Sequence, residues 1–267
     1  MTGQIEFPDG VDIKTCCANL YSSDWGRMLL GDSFHPGGVA LTERLGYLVN
    51  LRPGLRLLDV ASGNGTSAIF LARRFSCNVV GVDYSRALVA EAKATAEAAG
   101  LEDRVQFRCG DVGSLPFPDG VFDAVICECA FCTFPDKVAA ASEFARVLRV
   151  KGRLGLSDLT RSGKLPAELD SLLAWVACIG DARPLDEYLV YLKGAGLAIE
   201  AAEIHNEALS ETVQEIRTRL MGAQLLVKLK QLKLPGADFD QAQRMARSAA
   251  EAVREGRLGY ALVVGIK

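Results

Sequence analysis

Three cysteines fall within six residues, Cys127-Glu128-Cys129-Ala130-Phe131-Cys132, and form the densest group of reactive side chains in the chain. Cys16, Cys17, Cys77, Cys109 and Cys178 bring the total to 8, against only 2 histidines, His35 and His205. Thiolates ligate soft ions and attack electrophiles, so this inventory points to sulfur chemistry rather than imidazole acid–base chemistry. A C-x-C-x-x-C cluster is also a zinc pattern, but a structural zinc site takes four ligands and Cys178 is the one candidate for the fourth. Packing is the competing role. Cys77 and Cys109 read as small core residues and Cys127 as a strand residue facing the core, while Cys129 and Cys178 stay open between packing and ligation. Neither histidine lies in a motif, and His35, in a loop rich in Gly and Pro, reads as a surface residue, with lining the pocket as the alternative.

A second kind of chemistry is written between Arg56 and Asp83. An apolar run (Leu57, Leu58, Val60) stops at the turn Ala61-Ser62-Gly63-Asn64-Gly65, and Ala68, Ile69, Leu71, Ala72 and Phe75 then recur at helical spacing. A further apolar run, Val79 to Val82, ends in Asp83. Strand, glycine turn, helix, strand and terminal carboxylate describe a nucleoside pocket. Glycines admit a ligand close to the backbone, a helix N-terminus offers free N–H groups, and a carboxylate accepts two hydrogen bonds from ribose hydroxyls.

The turn reads D-x-A-x-G-x-G from Asp59, not the dinucleotide spacing G-x-G-x-x-G. Gly110-Asp111 follows the apolar Val105-Gln106-Phe107, and Leu115-Pro116-Phe117 leads to Phe122-Asp123-Ala124-Val125-Ile126. In this order the segments resemble the motifs of the class I S-adenosylmethionine-dependent methyltransferases, over roughly Leu55 to Asp158. The resemblance implies S-adenosylmethionine as cofactor, with the ribose on Asp83, the adenine amino group on Asp111 beside the Val112 backbone, and the methionyl part close to Gly63 and Gly65. It extends the cofactor set to Asp59, Ala61, Ser62, Tyr84 and Glu128.

Within that superfamily the chain resembles the arsenite methyltransferases. In them a cysteine follows the fourth strand in a stretch ending Pro-Asp-Lys, as Cys129 precedes Pro135-Asp136-Lys137 here. A second arsenic-binding cysteine of that family corresponds to Cys178, before Gly180, Leu185-Asp186-Glu187-Tyr188 and Ala195-Gly196, and its paired N-terminal cysteines to Cys16-Cys17. A third stands just after the glycine turn, where this chain has Ala68, and the first glycine of the turn is Ala61. The C-terminal helices also differ from that family's tail. A trigonal site on Cys129 and Cys178 therefore needs a replacement donor: Cys132, Cys127, Cys16, Cys17 or a small thiol brought with the substrate. Such a substrate attacks through a lone pair and needs no general base. The rivals are a methyltransferase for a quinone- or sterol-type acceptor and a non-catalytic metalloid sensor.

The elements that must position these residues follow from periodicity. Residues 1–15 form a polar arm; helices are expected over Cys16 to Leu30 and Val39 to Leu48, where Tyr21 and Trp25 either close the cofactor pocket or fill core. A helix from Ser85 to Ala99, strands at Val105 to Arg108 and Phe122 to Ile126, a helix from Lys137 to Leu148 and a strand from Arg153 to Leu159 complete an alternating core. Helices over Pro166 to Ile179 and Leu185 to Ala195 and a strand over Ala198 to His205 follow. Two helices, Ser210 to Leu232 and Phe239 to Gly256, then precede a closing strand, Tyr260 to Val264. The expected fold is α/β, a doubly wound, mostly parallel seven-stranded sheet of the Rossmann-like methyltransferase kind, with N-terminal helices and a helical insertion before the last strand. The division is 1–50 for the arm and cap helices, 51–206 for the cofactor-binding core, and 207–267 for the extension, a cap or a homodimer surface, plus the closing strand.

With 30 basic and 33 acidic residues, and no basic stripe along a predicted face, nucleic acid is not expected as a partner; a small molecule or metalloid is. The N-terminal stretch carries no apolar export signal and no run reaches membrane-spanning length, so the expectation is a cytoplasmic protein, not held in a membrane, with reduced thiols.

Overall fold

Strands β1 (Arg56–Val60), β2 (Asn78–Asp83), β3 (Val105–Cys109), β4 (Phe122–Glu128) and β5 (Leu148–Arg161) run parallel in the computed structural model, which describes residues 13–31, 33–169, 178–232, 234 and 238–267. β6 (Ala198–Ile204) and β7 (Leu258–Ile266) complete a seven-stranded sheet in the order β3-β2-β1-β4-β5-β7-β6, with β7 antiparallel to both its neighbours. Leu57, Leu58, Asp59 and Val60 are all buried, as expected of a central strand covered on both faces. β6 alternates exposed and half-buried residues, which suits an edge.

The helices are α1 (Ile13–Ser22), α2 (Asp24–Leu30), α3 (Gly38–Leu48), α4 (Thr66–Phe75), α5 (Arg86–Ala98), α6 (Lys137–Val147), α7 (Leu185–Gly194), α8 (Asn206–Lys228) and α9 (Phe239–Arg254). Local sequence sets their ends. Ser23 and Ser85 cap α2 and α5 by accepting from Gly26 N and Leu88 N, and Asp136 caps α6 through Ala139 N. The stretch expected as one N-terminal helix is thus split in two at Ser23. Of the helix expected over Pro166 to Ile179, only a single turn of 3₁₀ helix, Ala167–Leu169, and residues from Cys178 onward are described; residues 170–177 and the first twelve residues lie outside.

Helices α8 and α9 are inserted between β6 and β7, yet β7 is a nearly fully buried inner strand. The closing strand is therefore integral to the core sheet, and only the two helices stand out from it. They pack on each other and on α2 through a small second core: Leu220, Ala242 and Ala246, with Trp25, Leu29, Ile216 and Phe239 around them. Among the described residues, no helix is long and apolar enough to cross a membrane.

Candidate active site

The carboxyl ends of β1, β2 and β4 form one rim, and a cavity of about 130 Å³ opens there. After β1 the backbone takes left-handed values at Ala61, Gly63 and Gly65. Gly65 does not line the cavity. A Cβ on it would lie 2.5 Å from Phe107 Cζ, so packing against β3 demands a glycine here whatever its part in binding. Gly63 lines the cavity, and its N–H donates to Asp83 Oδ2 at 2.8 Å. Asp83 Oδ1 accepts from Ser85 N at 2.7 Å, so this one carboxylate ties the glycine turn to the start of α5. Burial pushes its pKa up, opposed by these two N–H groups.

Tyr84, Asp111 and Val112 border the same cavity. Lys14 of α1 pairs with Asp111 at 2.5 Å and lies 6.0 Å above the Tyr84 ring, so α1 closes this end. At the other end is a polar slot of about 40 Å³, walled by Asp59, Ala61, Ser62, Asn64, Ser67 and Glu128 among others. Asp59 Oδ2 and Ser62 Oγ are buried there with no hydrogen-bond partner. Burial, then the charges of Glu128 and Asp83, push the Asp59 carboxyl well above the ordinary range. A rim with spare acceptors and clustered carboxylates fits a ligand bringing hydroxyl groups and positive charge together.

The thiols gather on the opposite wall. Cys129, just past β4, is held in a left-handed conformation (φ 52°), its N–H donating to Ser157 O at 2.7 Å. Cys178, also left-handed (φ 65°), arrives from a distant segment, with its Sγ 3.1 Å from Cys129 O and 3.2 Å from Tyr21 Oη. Hydrogen bonds from the Cys129 and Cys132 thiols, with a smaller one from Tyr21, draw the Cys178 thiol well below its usual range despite burial. The same bond to Cys178, with burial, pushes Cys129 up, and burial foremost raises Cys132. Beneath them, Asp158 accepts from Cys132 N at 2.9 Å and is pushed up to about 7 by burial.

Cys129, Cys178 and Cys17 line the cavity, with Cys132 buried behind; Cys16 is half-buried and borders neither this cavity nor its neighbours. Cys77 and Cys127 are buried as core residues, whereas Cys109, expected there, is exposed because β3 is an outer strand whose last two residues lie open. Among the described residues, no group of three His, Cys, Asp or Glu side chains is arranged to hold a metal ion. Cys178 Sγ instead donates to the Cys129 carbonyl and meets Tyr21 Oη.

Two supports were missed from sequence. Lys137, only 5% exposed, donates to Cys132 O at 2.9 Å and Phe134 O at 3.1 Å and pairs with buried Asp181, which also meets Arg183. This joins the Cys129–Phe134 loop to the segment carrying Cys178. Asp181→Ala strands a buried ammonium and is expected to cost about 3 kcal/mol, read from urea unfolding. The second is His35, whose side chain is 7% exposed, with Nε2 3.6 Å from Glu128 and 3.3 Å from Thr42 Oγ1. Thr42 donates to Glu128 at 3.1 Å. The surface reading fails because the loop ahead of α3 folds inward over the rim. His205 stays at a distance, paired with Glu203.

A second cavity, about 140 Å³ and apolar, lies between the N-terminal helices and the inserted pair, walled by Leu20, Trp25, Leu29, Ile216, Leu220 and Ala246 among others. Tyr21, Phe34, Cys129 and Cys178 border both cavities, so the thiols stand at the junction. Tyr21 lines the rim cavity, while Trp25 packs edge-on against Phe239 at 5.2 Å in the second core and the wall of the apolar cavity.

Residues 57–152 match the model of a family described as a methyltransferase domain. The 27-O-demethylrifamycin SV methyltransferase of Amycolatopsis mediterranei is 38% identical over 167 residues, 61% of this chain and 61% of that protein. An arsenite methyltransferase of Halobacterium salinarum is 31% identical over 211 residues, 73% of this chain and 52% of that one. The chain thus spans three fifths of the first relative and half of the second. Among solved structures, phosphoethanolamine N-methyltransferase 2 of Haemonchus contortus with S-adenosyl-L-methionine superposes with a TM-score of 0.81 at 20% identity, covering 98% of this chain and 61% of that one. That likeness concerns the fold.

Proposed function

We propose that the chain is a class I S-adenosylmethionine-dependent methyltransferase that transfers a methyl group to a small soft nucleophile, trivalent arsenic held by cysteine thiolates, a reading supported by the methyltransferase-domain match and the methyltransferase relatives. The observation that carries this reading is the meeting of Cys129 and Cys178, from two separate segments, at the cavity, with Cys178 Sγ 3.1 Å from Cys129 O.

S-adenosylmethionine, when bound, supplies an electrophilic methyl group on a sulfonium. In this reading Asp83 takes the ribose hydroxyls, Asp111 and the Val112 backbone the adenine, and Asp59 with Glu128 the methionyl ammonium, the positive charge those carboxylates lack. Cys178 is the most readily ionised of these thiols and Cys129 stands beside it; the third sulfur would have to come from Cys132, Cys17 or a small thiol brought with the substrate. The attacking lone pair carries no proton, so no base is needed.

A raised folded-state value means that Asp59 keeps its proton where the unfolded chain has lost it, so the ligand-free protein loses stability as pH rises above the unfolded value. A bound cation reverses that preference. Cofactor binding is therefore expected to release protons, and the cofactor's thermal stabilisation to grow with pH. Calorimetry in buffers of different ionisation enthalpy checks this; proton uptake on binding would contradict it.

A second reading, methyl transfer to an apolar hydroxylated acceptor of the quinone or sterol type, is favoured by the apolar cavity and by His35, which lines it with Glu128 behind as a proton acceptor. Labelled cofactor with arsenite, methylarsenite and a quinol panel separates the two, using Cys178→Ser and His35→Gln. Arsenite conversion lost only in the cysteine variant supports the first; quinol conversion lost only in the histidine variant supports the second. Metalloid binding without any demethylated cofactor would leave a sensor and sink both.

A further inference from the structure

We propose that the C-terminal half of α8 is a docking surface for an anionic lipid bilayer. From Arg217 to Leu232 the chain carries four cations, Arg217, Arg219, Lys228 and Lys230, and no acidic residue, although acids outnumber bases overall, 33 to 30. The cations are interleaved with large apolar side chains that the fold leaves in water: Met221 is 58% exposed, Leu225 57%, Leu226 42% and Leu229 57%.

Met221, Leu225 and Leu229 recur every fourth residue and so form one row along the helix, with Lys228 beside them. The inward face of the same helix is already satisfied, Leu220 and Ala223 being buried toward α9. The outer row is therefore surplus to packing. Arg219 is taken up by Glu215 and by the Leu29 carbonyl, and Arg217, half-buried, donates to Gln214, which leaves Lys228 and Lys230, both exposed at the helix end, as the described cations for a partner.

A partner for such a surface must be apolar and negatively charged at once. Anionic lipid offers both, acyl chains to the leucines and headgroups to the lysines. A polyanion would leave the leucines in water, and a second copy of the same face would set its lysines near those of the first. Ile216 and Leu220 of this helix also wall the apolar cavity, so docking brings that cavity to the lipid surface. The inference does not depend on the identity of the methyl acceptor.

Sedimentation of the full chain with vesicles of phosphatidylcholine plus phosphatidylglycerol, against phosphatidylcholine alone, tests it. Partitioning is expected to be about tenfold stronger on the anionic vesicles, to fall at high salt, and to fall about tenfold in both Leu225→Glu/Leu229→Glu and Lys228→Glu/Lys230→Glu. Melting temperatures should hold, since the substituted residues are exposed. No preference for anionic vesicles, or binding retained by either variant, overturns the proposal. So does a doubled mass by light scattering that Leu225→Glu/Leu229→Glu returns to a monomer, since the face would then belong to a second copy.

Discussion

Asp83→Ala is expected to weaken S-adenosylmethionine binding by a factor of about a hundred or more, because each hydrogen bond to a buried charge contributes about 1.5–3 kcal/mol and the substitution removes several together. The carboxylate has two tasks that fail at once. Toward the ligand, in the proposed reading, it accepts from the ribose hydroxyls at the end of β2. Toward the protein it binds Gly63 N and Ser85 N, so its loss leaves two backbone donors without their acceptor and frees the turn that shapes the pocket. Asp83→Asn separates the tasks, since the amide oxygen accepts one bond but its nitrogen cannot accept the other. Calorimetric titration should rank wild type above asparagine and asparagine above alanine. Alanine binding within threefold of wild type would show that this carboxylate does not hold the cofactor.

Cys178→Ser is expected to lower methylation of arsenite by about a thousandfold or more, the scale lost when a group that holds the reacting atom is removed. A hydroxyl keeps the size and the hydrogen-bonding geometry toward Tyr21 and Cys129 but is a hard, weakly acidic donor that soft trivalent arsenic does not favour. Cofactor affinity should be unchanged, because the polar slot and Asp83 are untouched. Cys129→Ala is expected to lose activity too, and in addition to release Cys178 from the hydrogen bond that most stabilises its thiolate. Turnover of arsenite by Cys178→Ser near the wild-type rate would end the arsenic reading and leave the acceptor in the apolar cavity.

Much of the scaffold was legible because its signals are local. The glycine turn, the Ser85 cap, the carboxylate after Val82 and the two periodicities are each written within a few residues, and the sheet they imply is the one observed. Gly65 is legible as part of the turn, but the steric demand for a glycine there comes from Phe107, more than forty residues away. Some expectations failed for equally physical reasons. Cys109 was read as core, but an outer strand covers fewer of its side chains. His35 looked like a surface loop residue, and nothing adjacent in sequence reveals that Thr42 and Glu128 fold around it.

By itself, the amino-acid sequence determined the alternation of strands and helices, the cofactor-binding turn and the unusual supply of thiols, since each depends on residue type and short spacing. Only the tertiary structure decided which thiols meet. Cys178 reaches Cys129 because Lys137, lying between them in sequence, anchors one loop to Asp181 of the other, and its low thiol pKa exists only once Tyr21, Cys129 and Cys132 surround it. The apolar cavity likewise belongs to no segment, since α2, α8 and α9 each supply one wall. Backbone preferences act over a turn or a strand, whereas burial and electrostatics are sums over everything nearby in space. A linear chain does not list its neighbours until it has folded.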